Sequence, residues 1–341
     1  MAATREMVPI SRQVREANTI PNDLKPGEPS LGEASPGFSS ARVSPDQLCR
    51  LEGGAELLVD ARRRTPFHVT LRFGALRLRV QCDDGDVLAA FARRYAWHAG
   101  EGSPDVTFYA MRTEAGYVFL GENTAAWEWR RGPLSTEAYA FLLDACALTA
   151  FVCARHLLSF HAAVVEREGG VTMIAAPSGR GKTTTLVACG LRGMRVYSDE
   201  RCVIDGAHVV PFVRTLNIRA GGALLLRAAG WQTTIPAEGG QAEIGALLGA
   251  AAIAPAKRLS AILFLDRYAS APALEPVSLL QLAPSLLQWM QSREHRPLER
   301  LRRLLNALAG VQCFRMALGT PGDTARCIDD LTAARGAARA S

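Results

Sequence analysis

The stretch that decides the fold is Ala176-Pro177-Ser178-Gly179-Arg180-Gly181-Lys182-Thr183. Apolar residues at 171–175 predict a strand directly before it, and the pattern at 182–191 predicts a helix directly after it. A glycine-rich loop that joins a strand to a helix and ends in Gly-Lys-Thr is typical of the P-loop, which holds the phosphates of a nucleotide. Ala176 stands where the usual pattern has its first glycine, and alanine is small enough for the loop to tolerate. The sequence therefore predicts an α/β nucleotide-binding core.

Each residue type in this loop suits a triphosphate. Gly179 and Gly181 let phosphates approach the backbone, while the loop amides and the N-terminus of the following helix attract negative charge. Lys182 is expected to bridge the β- and γ-phosphates, and the Thr183 hydroxyl to bind Mg²⁺, so ATP and Mg²⁺ are the predicted cofactors. The predicted nucleotide contacts are Ser178, Gly179, Arg180, Gly181, Lys182, Thr183 and Thr184. The alternative is a coincidental Gly-Lys-Thr in a turn, against which the flanking strand and helix argue.

An acidic pair follows soon after the loop. A short predicted strand, 195–198, ends in Asp199-Glu200, and the carboxyl ends of strands in an α/β sheet converge on the ligand. Phosphoryl transfer to a hydroxyl needs a carboxylate near the nucleophile and acidic ligands for the metal. We expect Asp199 beside the γ-phosphate and Glu200 as a metal ligand. Adjacent residues on an extended strand point to opposite sides, so one carboxylate can also serve both tasks. The alternative is a solvated strand end.

Two further residues are candidates for the site. His161 lies on the predicted strand 160–165, which precedes the P-loop strand, and its alternative reading is an ordinary core histidine. Arg219 is a candidate for stabilising the charge of the transferring phosphoryl group. An exposed surface arginine is equally plausible there, because 36 of the 39 basic residues of this chain are arginine.

Composition narrows the functional classes. The net charge of +6 and the pI near 9.0 fit an anionic ligand or an acidic protein segment and do not require nucleic acid. The eight cysteines show neither Cys-x-x-Cys pairs nor metal-ligand spacing with histidine, which predicts core cysteines in a reducing, cytoplasmic compartment. No stretch at the start resembles a signal peptide. The apolar segment 138–154 contains Asp144 and is predicted to be a buried helix rather than a membrane span.

Three regions are predicted along the 341 residues. Residues 1–45 are rich in Pro, Ser, Gly and Glu and are expected to form a disordered tail. Residues 46–134 predict a small α+β domain, with a hairpin around Gly74-Ala75, a helix to about Trp97 with cap candidates Asp83, Asp84 and Asp86, and strands at 106–111, 117–120 and 125–130. Residues 135–335 predict the P-loop domain, opening with a helix from Ser135 to about His156.

The remaining elements complete the predicted mixed sheet of that domain. Its other strands are predicted at 202–204, 209–212, 215–219, 261–265 and 313–316, and its other helices at 244–248, 283–291, 298–309 and 324–334. The stretch 272–276 is predicted to be a loop at the edge of the site. Arg293, Arg296, Arg300, Arg302 and Arg303 accompany a leucine stripe, which favours an amphipathic surface helix over a patch for an acidic partner or nucleic acid.

Together, three segments resemble the HPr kinase/phosphorylase family and its relatives, within the group that includes ATP-dependent phosphoenolpyruvate carboxykinases. They are Ser159-Phe-His161-Ala-Ala-Val-Val165, then Ala175 to Thr183, then Tyr197-Ser-Asp199-Glu200. They follow the family's order of histidine strand, P-loop and acidic strand end, over roughly residues 155–222. The resemblance implies a P-loop, HPr-kinase-like mixed-sheet kinase domain, here preceded by the small α+β domain and the tail.

The resemblance also implies roles. Lys182 and Thr183 would bind the phosphates and Mg²⁺, Asp199 would act as the base toward a serine hydroxyl, and His161 matches an active-site histidine. Glu200 stands where the family usually has a second aspartate. The segment 217–222, which contains Arg219, loosely resembles an Arg-Gly signature, and the segment linked to dephosphorylation is not recognisable, so reversal is not expected.

The N-terminal half resembles divergent HPr-kinase-related proteins, some of which phosphorylate a serine of a precursor peptide. A serine kinase acting on a protein or peptide is therefore the leading hypothesis. A small-molecule kinase and a non-catalytic nucleotide-binding sensor are the alternatives. We expect no membrane and no nucleic acid among the partners, and a homo-oligomer remains open.

Overall fold

The structure is a computed structural model that describes residues 54–114, 116–121, 126–129, 132–168, 170–230, 239–242, 257–292 and 296–340. The predicted tail, the predicted helix at 244–248 and Arg293 lie outside these residues. Two mixed β-sheets with helices form the described part of the chain, which confirms the predicted α/β class.

The first sheet has five strands in the order β1-β2-β3-β4-β5. Its neighbours are antiparallel except β2 and β3, which run parallel. The elements of this part are α1 (Gly54–Arg64), β1 (Phe67–Phe73), β2 (Leu76–Cys82), α2 (Gly85–Arg94), β3 (Val106–Thr113), β4 (Gly116–Gly121), β5 (Ala126–Trp129) and α3 (Thr136–Ala154).

Local sequence signals account for several of these boundaries. Gly74 takes a positive φ of 63° in the turn between β1 and β2, as the predicted hairpin requires. Asp84 caps α2, because its Oδ1 accepts from the backbone N–H groups of Asp86 and Val87. The Ser135 Oγ accepts from the Ala138 N–H and starts α3 where a helix is predicted.

The second sheet carries the predicted P-loop, residues 176–183. Its strand order is β16-β6-β10-β11-β14-β8-β7-β9, with β17 paired to β14 and β15, while β12 and β13 form a separate hairpin. The parallel core consists of β8, β14 and β17. The elements are β6 (Leu158–Phe160), β7 (Ala162–Arg167), β8 (Gly170–Ala175), α4 (Lys182–Leu191), β9 (Arg195–Ser198), β10 (Cys202–Asp205), β11 (His208–Val210), β12 (Leu216–Arg219), α5 (Ala220–Ala228), β13 (Gly239–Ala242), β14 (Lys257–Tyr268), β15 (Ala273–Val277), α6 (Leu279–Trp289), β16 (Met290–Gln291), α7 (Pro297–Ala307), β17 (Gln312–Leu318) and α8 (Pro321–Ala340).

Helices cover both faces of this sheet. One apolar cluster joins it to α4, α5 and α8, and a second joins it to α6 and α7. Every residue of β8 is buried, which is why the strand before the P-loop reads as a continuous apolar run.

Two sequence predictions about elements are wrong, and one helix was not predicted. The predicted strand 160–165 is divided at His161, because β6 pairs with β10 whereas β7 pairs with β8 and β9. The predicted loop 272–276 is largely strand β15, whose edge position tolerates Pro276. Helix α5 follows Arg219 without a side-chain cap and begins with Ala-Gly-Gly, so it gave no helix signal.

The two sheets share apolar packing. Helix α3 and the buried faces of β1 to β4 form one cluster, which also takes in Val203 and Val210 of the second sheet and Phe212 from the segment after β11. The rings of Phe73 and Phe212 stack with centroids 4.3 Å apart. The boundary predicted after residue 134 therefore falls directly before a helix of the first core; the boundary itself remains a prediction.

Helix α3 is also long and apolar enough to cross a bilayer, judged by length and composition alone. Most of that apolar window, 72%, is buried inside the protein. Within the described residues, no cysteine forms a disulfide.

Candidate active site

The sheet topology brings three predicted segments to one edge. Strand β7 lies between β8 and β9, and Ala162 at its start pairs with Ala175, directly before the P-loop. On its other side, the Ala162 N–H donates to the Glu200 carbonyl oxygen at 3.1 Å. His161, the start of the P-loop and the acidic pair are therefore neighbours at this edge.

The P-loop adopts a backbone that only glycine takes without strain. Gly179 has φ 81° and Gly181 has φ 82°, both in the left-handed region. Gly181 is also the N-terminal cap residue of α4. The N-terminus of an α-helix thus follows the loop directly, which is the arrangement that binds phosphate.

Lys182 is buried and held by its own loop. Its Nζ donates to the carbonyl oxygens of Ala176 (2.9 Å) and Pro177 (3.3 Å), and only 7% of the residue is exposed. Burial, and to a smaller extent the nearby Arg219, lower the pKa of Lys182 to about 8, although Asp199 opposes the shift. A bound phosphate would stabilise the charged ammonium group, which burial destabilises.

The other predicted loop contacts differ in exposure. Ser178 and Arg180 are exposed, and Thr183 and Thr184 are half-buried. Helix α5 packs closely on this start of α4, because a Cβ added to Gly222 would lie 2.7 Å from the Thr184 Oγ1. Gly222 is therefore needed for the two helices to approach each other.

Two residues flank the glycines of the loop. The Arg219 Nη1 lies 3.8 Å from where a Cβ on Gly179 would stand, which places this predicted residue beside the loop. The Tyr268 hydroxyl lies 3.5 Å from the corresponding point on Gly181, and the residue is 58% exposed. Tyr268 was not predicted for the site, because nothing in the sequence of β14 indicates that its end reaches the loop.

Asp199 is buried at the end of β9, with 4% of the residue exposed. Burial raises the pKa of its carboxyl group above the ordinary value, and the Arg214 guanidinium opposes that rise. The Arg214 Nε lies 3.5 Å from the Asp199 Oδ1, and the Arg214 Nη2 contacts the Glu200 carboxylate. Both acidic side chains thus meet one cation.

The chain bends where the acidic pair begins. The buried Ser198 Oγ accepts from the backbone N–H groups of Glu200 (3.3 Å) and Arg201 (2.9 Å). Such a hydroxyl turn ends the strand at Ser198. The opposite orientation expected for adjacent strand residues therefore does not apply, and Asp199 and Glu200 reach the same guanidinium.

Arg214 extends the site into the first core. Its Nη1 lies 3.4 Å from the Asp144 Oδ2 on α3. The Tyr95 hydroxyl donates to the Asp144 Oδ1 at 2.5 Å, and the Arg94 Nη1 lies 3.5 Å from Oδ2. Sequence reasoning missed this connection, although a single aspartate inside the apolar segment 138–154 was a usable signal, since buried carboxylates need partners.

His161 is half-buried in the bend between β6 and β7, and its backbone N–H donates to the Trp289 carbonyl oxygen at 3.3 Å. The structure places it next to the acidic pair, and its catalytic role stays a prediction. The same holds for the roles of Asp199 and Arg219.

The predicted Mg²⁺ fits an ion bound at the predicted P-loop rather than a separate metal centre built from side chains. Among the described residues, no group of three or more His, Cys, Asp and Glu side chains is arranged to hold a metal. At a P-loop, Mg²⁺ is bound by the loop hydroxyl, the phosphates, water and a carboxylate from outside the loop, and Thr183 offers the loop hydroxyl. Glu200 would have to leave Arg214 to bind the ion, and its metal role stays a prediction.

The arginines of α7 have structural partners. Arg300 Nη2 donates to the carbonyl oxygens of Leu287 (2.9 Å) and Met290 (2.8 Å), and Arg303 Nη2 donates to that of His156. Leu304 of the same helix is buried in the second sheet's core. These contacts support the prediction that α7 is an amphipathic helix packed through its leucines.

Comparison with known proteins gives a distant similarity to a solved structure. No protein-family model matches the chain, and no curated protein matches it. Among solved structures it is similar to the HPr(Ser) kinase/phosphatase from Coxiella burnetii, with 12% identity over 54% of this chain and 99% of that chain, at a TM-score of 0.28. A likeness this low shows neither the family nor the activity of this chain.

Proposed function

We propose that this protein is an ATP-dependent phosphotransferase that moves the γ-phosphate to a serine hydroxyl of a protein or peptide. One observation carries the proposal. A buried lysine in a left-handed glycine loop and a buried aspartate lie at the same edge of one sheet. Nucleotide binding alone needs the loop and gives no reason for a buried carboxylate beside it.

The residues divide the chemistry as follows. Lys182 exchanges the carbonyl oxygens of its loop for the β- and γ-phosphates, and Thr183 would hold Mg²⁺, which neutralises phosphate charge when bound. Arg219, beside Gly179, stabilises charge on the transferring group. The serine oxygen bonds to the γ-phosphorus, the bond from that phosphorus to the β–γ bridging oxygen breaks, and ADP leaves with the electron pair. Asp199 accepts the hydroxyl proton.

The proposed acceptor is a serine hydroxyl. A serine of a peptide substrate is favoured by the sequence resemblance, and a biosynthetic precursor peptide is one such substrate. ATP as phosphate donor and core cysteines without disulfides fit a cytoplasmic protein. A small-molecule acceptor is the alternative, and the experiment below tests it beside the peptide.

The test follows the terminal phosphate of ATP. Wild type and Asp199→Asn are incubated with γ-labelled ATP, Mg²⁺ and either a serine-containing peptide library or a set of small polyols. We expect label in the peptides, an Asp199→Asn rate lower by about 10²- to 10⁴-fold, and ATP affinity within about twofold. Asp205→Asn, an exposed aspartate at the end of β10, is the matched control and should transfer at the wild-type rate.

Each outcome decides between the candidates. Label only in polyols would replace the peptide acceptor with a small molecule. Equal transfer by wild type and Asp199→Asn would remove the base assignment. Tight ATP binding with no transfer to any acceptor would overturn the enzymatic proposal and favour a nucleotide sensor.

A further inference from the structure

One arginine connects the acidic pair to the first core. We propose that Tyr95 and Asp144 act as positioning residues for Arg214, so that the first core completes the active site of the second. This inference rests on the proposed function for its catalytic consequence only. The contacts themselves lie in the described structure.

The three nitrogens of the Arg214 guanidinium meet three different carboxylates. Nε faces Asp199, Nη1 faces Asp144 and Nη2 faces Glu200. The side chain is 15% exposed, and a planar guanidinium held at all three nitrogens has a defined orientation. Without Asp144, nothing among these contacts opposes its movement toward the acidic pair.

Asp144 is itself held in place by the end of α2. The Tyr95 hydroxyl donates to its Oδ1, and Tyr95 is fully buried. The Tyr95 ring also packs edge-on against Phe212, with centroids 5.8 Å apart. Phe212 lies two residues before Arg214, so one side chain of the first core contacts both the partner of Arg214 and the segment that carries it.

The segment of Arg214 is further tied to β9. The Phe212 N–H donates to the Tyr197 carbonyl oxygen at 2.7 Å, two residues before Asp199. A displacement of Tyr95 or Asp144 would therefore reach Asp199 through the guanidinium and through the backbone. Among the described residues, the Lys182 Nζ donates to Ala176 and Pro177 of its own loop rather than to a residue of the first core. The first core should thus affect phosphate transfer without affecting ATP binding.

The experiment compares two buried tyrosines of the same core. Tyr95 and Tyr139 are both fully buried, and each hydroxyl donates to an aspartate, Asp144 at 2.5 Å and Asp83 at 3.1 Å. Tyr95→Phe and Tyr139→Phe each remove one hydroxyl, from a buried pair at Asp144 and from a partly buried pair at Asp83. Only the first pair contacts Arg214, so Tyr139→Phe controls for loss of stability.

Two readouts separate the positioning role from the proposed function. Hydrogen exchange is measured at the backbone amides of Glu200 and Arg201 in the full chain without nucleotide. We expect exchange faster by roughly threefold or more in Tyr95→Phe and unchanged in Tyr139→Phe, because local opening controls exchange. In the γ-labelled ATP assay, Tyr95→Phe should lower kcat by about tenfold with an unchanged KM for ATP, while Tyr139→Phe keeps both.

Asp144→Asn provides a second variant and Asp83→Asn its control, in case the tyrosine effects are small. Equal exchange and equal kcat within each pair would overturn the positioning role. A wild type that transfers no phosphate would end the proposed function, while the exchange comparison would still decide whether the first core holds the acidic pair.

Discussion

The two buried charges of the candidate site are stabilised in opposite ways. Lys182 is held locally, by carbonyl oxygens five and six residues earlier in the chain. Asp199 is held by Arg214, which in turn contacts a carboxylate from α3, 55 residues before Asp199 in the chain. A substitution at the lysine should therefore stay local, whereas one at the arginine should affect both cores.

Arg214→Met is expected to have the largest effect. It leaves Asp144 and Asp199 buried without their shared cation, and breaking a buried ion pair costs about 3 to 5 kcal/mol of unfolding free energy. Urea denaturation measures the loss. Arg63→Met is the control, since Arg63 is 83% exposed beside Asp60 and such a pair contributes at most about 1 kcal/mol. A stable Arg214→Met protein would show that Arg214 does not join the two cores.

Lys182→Met should weaken ATP binding without lowering the stability of the protein. Loss of the charged hydrogen bonds to phosphate is expected to weaken ATP by about 100-fold, with the midpoint of unfolding unchanged or higher because a buried charge is removed. Lys257→Met is the matched control: Lys257 pairs with Glu166 at the opposite edge of the sheet and should leave ATP affinity unchanged. Calorimetric titration with ATP measures the affinity of both variants. Equal ATP affinity for Lys182→Met and wild type would contradict the proposed role of Lys182 in binding phosphate.

Gly222→Ala tests whether the region around the glycine-rich loop depends on the close packing of α5 on α4. The new Cβ would lie 2.7 Å from the Thr184 Oγ1, so we expect a loss of about 1 to 2 kcal/mol and weaker ATP binding. Gly221→Ala, one position earlier in α5, meets no atom within 4 Å and should be neutral or slightly stabilising. Similar melting temperatures for the two variants would mean that α5 does not press on α4.

The smallest expected effect is on the pH dependence of ATP binding. Burial and the nearby Arg219 lower the pKa of Lys182 to about 8, so above that pH the free protein loses the proton, whereas bound phosphates favour the charged lysine. Binding then takes up a proton, and affinity should fall by up to about tenfold per pH unit above pH 8. Arg219→Gln removes a nearby positive charge, raises the pKa of Lys182 and should move the onset to higher pH.

Titration from pH 7 to 9.5 in buffers of different ionisation enthalpy measures both the affinity and the proton uptake. A constant affinity over this range would contradict the lowered pKa. An onset that stays at the same pH in Arg219→Gln would instead show that burial alone lowers it.

The sequence predicted the local parts of this molecule well. The strand before the loop, helix α4 and strand β9 lie where they were predicted, because their apolar patterns and glycines act over short distances. The strand containing His161 was wrong, since the change of pairing partner at that residue depends on which strands lie beside it. Helix α5 and the carboxylate contacts of Arg214 were not predicted for the same reason.

By itself, the sequence determined the candidate phosphate-binding loop: glycines that accept a left-handed backbone, a lysine, and a helix that starts directly after them. These features follow from the conformations that each residue allows and from neighbours within a few positions. Only the tertiary structure decided that the acidic pair meets Arg214, and that Arg214 meets Asp144 and the end of α2. A buried carboxylate must find a partner, but which residue supplies it depends on the folding of distant segments against each other.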